Sequence, residues 1–143
     1  MIFRYNRLEL RKLYFDSWQK HLVNQKLTDL ETQIIHVIKQ HPEYHHYLSN
    51  IDNLEKDFSP DMHETNPFLH LGLHLGIIEQ IVTNRPDGIQ GIYHNLCQKN
   101  YDTHKVQHVM MDYLAESIWN AQKNNAPPCQ KSYIDQLKSL LLA

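Results

Sequence analysis

"NPFLHLGLHLGIIEQ", residues 66–80, is the stretch whose reading decides the fold. Asn66 is a good N-cap and Pro67 suits the first helical position, so a helix starts here and reaches about Val82. At about 100° per residue, His70, His74, Ile77 and Ile81 form one stripe, flanked by Leu71, Leu75 and Ile78. Gly72 and Gly76 lie nearly opposite. A helix that is apolar almost all round belongs in the middle of a fold. Two histidines one turn apart on its apolar face therefore need an explanation.

Helical spacing extends outward in both directions. A first helix is expected from about Arg7 to Asn24. A second opens at "TDLE", where Thr28 and Glu31 fit a capping box, and it runs until Pro42 interrupts it. One short helix is expected from Pro42 to about Ile51, followed by a polar loop, "NLEKDFSPDMHET". Beyond the central helix, "TNRPDG" reads as a turn and a weaker helix covers about Asp87 to Gln98. Asp102 or Thr103 caps a long helix from about His104 to Lys123, which "NNAPP" ends, and "SYIDQLKSLLLA" forms the last helix. Trp18 and Trp119 read as core aromatics. The expected class is all-α: one domain over residues 1–143, a compact antiparallel bundle of about four main helices plus short ones.

The totals exclude several functions. The formal net charge of −2 gives no basic surface for a phosphate backbone, so nucleic acid is not an expected partner. No apolar run reaches the length of a membrane span, and the charged opening "MIFRYNRLELRK" does not read as a signal peptide. Cys97 and Cys129 form no CxxC motif, which points to a reducing, cytoplasmic setting. There is no glycine-rich phosphate loop, nucleophile elbow or H-E-x-x-H motif.

The unusual feature is histidine: eleven in 143 residues. Three pairs stand four apart, His41 with His45, His70 with His74, and His104 with His108, more than random placement gives. Residues at i and i+4 share a helix face, so each α-helical pair can aim two imidazoles at one ion. Asp112 continues the His104–His108 ladder and adds a carboxylate. His41 ends the apolar stripe of the second helix, but Pro42 breaks the geometry before His45. Neutral imidazole suits iron, zinc, copper and nickel. The expected ligands are His70, His74, His108, His104, His41, His45 and Asp112, with iron favoured over zinc or manganese. The competing expectation is a metal-free interaction module, partnered by another protein or a second copy, in which the histidines are structural.

"HPEYHHYL", "NPFLHLGLHLGIIEQ", "NRPDGI" and "HVMMDYLAESIWNAQ" resemble a family of short bacterial proteins, the domain of unknown function 1841. The likeness runs almost end to end, from "RLELRKLYFDSW" to "PPCQKSYIDQL". It implies a cytoplasmic helical protein and brings no assigned activity. Its motifs fall on His41, Glu43, His45, Asn66, Pro67, His70, His74, Glu79, Gln80, His108 and Trp119. For a centre with an open metal position, the expected roles are redox sensing, oxygen chemistry and hydrolysis, in that order.

Overall fold

The computed structural model describes residues 7–56, 58, 66–100 and 102–142. Among them there is no strand, and the class is all-α. Six α-helices occur among the described residues: α1 (Arg7–Leu22), α2 (Asp29–Lys39), α3 (Pro67–Thr83), α4 (Ile89–Asn100), α5 (Thr103–Lys123) and α6 (Gln130–Leu141). Two 3-10 helices, Pro42–Leu48 and Ile51–Leu54, lie between α2 and α3. The chain divides into two compact units, Met1–Leu75 and Gly76–Ala143, with the boundary inside α3.

In the first unit, α1 packs on α2 and on the 3-10 helices. Tyr14, Ile34, Val37, Ile38, Leu48 and Leu71 are almost fully buried. Each such aliphatic side chain contributes about 1.5–3 kcal/mol relative to exposure. The capping box forms as expected. The Glu31 amide donates to Thr28 Oγ1 (3.2 Å), and the Thr28 amide donates to Glu31 Oε1 (2.9 Å). The other carboxylate oxygen of Glu31 pairs with Lys20 of α1 at 2.7 Å, which ties the start of α2 to its neighbour.

The segment after α2 departs from expectation. Instead of one short helix it forms two 3-10 pieces. Ser49 Oγ donates to the His45 carbonyl, and Asn50 Oδ1 accepts from the Asp52 amide. Such local side-chain bonds compete with a continuous helix. Arg11, only 3% exposed, fixes the second piece. Its guanidinium donates to the carbonyls of Leu54 (3.2 Å) and Lys56 (2.7 Å) and lies against Phe68 (4.7 Å) and Phe58 (5.6 Å). Most of the expected polar loop, residues 57 and 59–65, lies outside the described residues.

In the second unit, α4, α5 and α6 pack on one another. Asn84 (φ 52°) and Gly88 (φ 91°) supply the left-handed backbone of the turn after α3, and the Asn84 side chain accepts from the Gln90 amide. Of the two expected caps for α5, Asp102 does the work, accepting from Lys105 N–H at 3.1 Å. Just past the end of α5, Asn125 takes the left-handed backbone (φ 51°) and the Ala126 amide bonds the Ala121 carbonyl. Tyr133 of α6 is buried and donates to Gln80 Oε1 of α3 at 2.8 Å. Trp119 is not a core aromatic: it is 60% exposed, with Lys123 Nζ 5.1 Å over its ring. No described helix is long and apolar enough to cross a membrane.

Thr28→Ala is expected to lower stability by about 1 kcal/mol in chemical denaturation, the usual cost of losing an N-cap oxygen. Glu31 carries a pH signature. The Lys20 ammonium, and next the Thr28 amide, hold its carboxyl below the ordinary 4.5. Its contribution is therefore present above pH 4.5 and lost as pH falls through the lower folded value. Glu31→Gln should flatten the acid limb of a stability-against-pH curve below 4.5; an unchanged limb would contradict this.

Candidate metal centre

The centre starts at the end of α2. The His41 amide still bonds the Ile38 carbonyl at 3.0 Å, but Pro42 forces the chain out of α geometry, leaving His41 at φ −127° and ψ 67°. The imidazole folds back, and Nδ1 lies 2.7 Å from the Val37 carbonyl oxygen. A carbonyl only accepts, so Nδ1 carries the proton. In neutral His41 the lone pair is then on Nε2. The ring is only 1% exposed. A ligand imidazole with its other nitrogen donating to a backbone carbonyl is the usual arrangement at metal sites.

His70 and His74 of α3 meet this ring. Ring centroids are 4.6 Å apart for His41 and His70, 5.2 Å for His41 and His74, and 6.2 Å for His70 and His74. One ring nitrogen from each of the three lies within 4.8 Å of the others. His74 is fully buried, whereas His70 is half-buried. Tyr44 packs against two of the rings, stacked on His41 at 5.4 Å and edge-on to His70 at 5.5 Å. Burial, then the nearby Glu43 charge, raises its phenol pKa, so the hydroxyl is neutral at physiological pH.

The closest approach is 3.0 Å, between Nε2 of His41 and Nε2 of His70. With metal–nitrogen bonds of about 2.0–2.1 Å, neighbouring ligand nitrogens stand about 2.9 Å apart in an octahedron and about 3.3 Å apart in a tetrahedron. The observed separation fits that range. It also fits a hydrogen bond from His70 Nε2–H to His41 Nε2 when no ion is bound. The site residues thus suit an ion.

The remaining expected ligands lie in other settings. His45 turns to the end of α2, with Nε2–H donating to the Ile38 carbonyl at 2.9 Å and its ring 4.5 Å from that of Trp18. The reason is helix type: in a 3-10 helix residues four apart stand about 120° apart, not one above the other. Glu43 is exposed, and Glu31 is occupied as a cap. In the second unit, His104 and His108 are half-buried with ring centroids 4.1 Å apart, and Asp112 is exposed. Reading by i,i+4 pairs missed Tyr44. Its signal was spacing of three after His41, which is one full 3-10 turn.

The His41 tautomer is directly checkable. Nitrogen NMR of the metal-free chain should show a proton on His41 Nδ1 in slow exchange and none on Nε2. A His41 protonated at Nε2 instead would contradict the geometry.

No curated protein and no solved structure matches the chain. A family model does match, over residues 6–139, nearly the whole length. The chain therefore belongs to the family described as domain of unknown function DUF1841.

Proposed function

We propose that this protein binds a divalent first-row transition-metal ion through His41, His70 and His74. The observation that carries this reading is the 3.0 Å approach of two Nε2 atoms, one of them on a ring whose tautomer the Val37 carbonyl fixes. Imidazole donors select iron, zinc, copper or nickel over magnesium or calcium. Iron is the ion we favour, ahead of zinc, whose closed structural sites more often use cysteine. Manganese prefers oxygen donors and fits a set of imidazoles less well. An ion held by these three imidazoles keeps positions open, so a role in redox sensing or in activating oxygen or water follows from the same donor set. A cytoplasmic setting is part of this proposal and rests on the cysteine spacing.

The rival reading, a metal-free interaction module, draws on Trp119. An exposed tryptophan is a common anchor at protein interfaces. In that case the His41–His70 contact is simply a buried hydrogen bond.

Metal content separates the two. Protein prepared without chelators, or loaded anaerobically with ferrous iron or zinc, should hold about one ion per chain by mass spectrometry. The double variant His70→Ala, His74→Ala should lose it while keeping its helical circular dichroism. A native chain that takes up no ion under any of these conditions would leave the interaction module as the better account.

A further inference from the structure

We propose that His104 and His108 of α5 form a metal site of their own, in the second unit, that takes a divalent transition-metal ion such as zinc or nickel, with water completing its coordination. The inference is independent of the centre built on His41, His70 and His74. The α5 helix is regular from Thr103 to Lys123, so the two residues stand on adjacent turns of one face. Their ring centroids are 4.1 Å apart. Metal–nitrogen bonds of about 2.0–2.1 Å place two imidazoles of one ion at about 4.5–5.2 Å between centroids. The pair therefore opens by about half an ångström to chelate, a small rotation of either ring. Each ring gives the ion one nitrogen and keeps the other for a hydrogen bond.

The helix holds the pair in place. Asp102 caps its first turn, accepting from the Lys105 amide at 3.1 Å, and Val106, Met110 and Met111 are buried, which fixes the rotation of α5. His104 and His108 are half-buried beside that core face. Their rotamers are restricted before an ion arrives, so little side-chain freedom is lost on binding. Half-burial also leaves a side open to water ligands. Charge permits a cation here. His104 lies in the first turn, where the positive end of the helix dipole, about half a unit charge, opposes one. The Asp102 carboxylate, a full negative charge at the same helix end, outweighs it. Asp112 is exposed and about 12 Å along the axis from His104, so it adds charge rather than a ligand to the same ion. Two protein ligands hold an ion less tightly than three, so this site empties on desalting and fills at equilibrium.

Nickel(II) is the probe, because it binds imidazole and does not oxidise the free thiols of Cys97 and Cys129. The full chain carrying His70→Ala and His74→Ala, checked for native circular dichroism, is titrated at equilibrium by calorimetry. The expected result is saturable uptake of about one nickel per chain. Adding His104→Ala should weaken that uptake by about tenfold or more. Adding His36→Ala, which removes an exposed histidine of α2, should leave it unchanged. In the native chain, nickel in excess of the first centre should broaden the NMR signals of both the His104 and the His108 ring, a readout that does not require the double variant to fold. No saturable uptake by the folded double variant, uptake that survives His104→Ala, or ring signals of His104 and His108 that stay sharp in the native chain would each overturn the second site. None of these results bears on the first centre, which is read from the ion retained after desalting.

Discussion

The hydrogen bond from His41 Nδ1 to the Val37 carbonyl is the constraint on which the centre depends. It joins a backbone event to a chemical one. Pro42 ends α2, and in its last turn the Val37 and Ile38 carbonyls accept from the amides three residues on, Gln40 and His41, with room for a second donor each. The His41 side chain adds a bond to the Val37 carbonyl, and the His45 side chain adds one to the Ile38 carbonyl. In doing so His41 becomes a buried ring of fixed tautomer with its lone pair directed at α3. A free-standing imidazole at this depth would be costly; one that satisfies a helix end contributes to the fold as well as to the site.

The same logic makes α3 the second half of the centre. Its two histidines lie one turn apart because the helix is regular there, started by Asn66, whose side chain accepts from the amides of Phe68 and Leu69. The opposite face of this stretch is committed to the core: Phe68 receives the Arg11 guanidinium and stacks parallel to Tyr14. At Gly72 an added Cβ would stand 3.5 Å from the Tyr14 hydroxyl, an ordinary contact. Apolar packing on one side thus fixes the rotation of α3, and with it the direction of His70 and His74. Tyr44 then holds His41 and His70 together through ring contacts.

How much of this was legible in the sequence depended on whether the signal was local. The Thr28–Glu31 box and the Asn66–Pro67 start are read from neighbouring residues, and both formed. His70 and His74 were readable because an α-helix maps spacing of four onto one face. His45 failed the same rule because Pro42 converts the segment to a 3-10 helix, in which that spacing diverges. Trp119 shares a stripe with buried Met111, yet α5 spans 21 residues against 12 for its neighbour α6, and the tryptophan near its end is left to solvent. The Arg11 contacts reach 43 and 45 residues along the chain, which no local pattern encodes.

The central claim is that His41, His70 and His74 share one ion, and X-ray absorption spectroscopy on metal-loaded protein tests it most directly. The predicted result is a first shell of nitrogen or oxygen donors at about 2.0–2.2 Å, with the multiple-scattering signature of at least three imidazoles. That signature should drop by one imidazole in His41→Ala. A first shell fitted by one imidazole or none, or by sulfur, would contradict the account and return the three rings to a purely structural role.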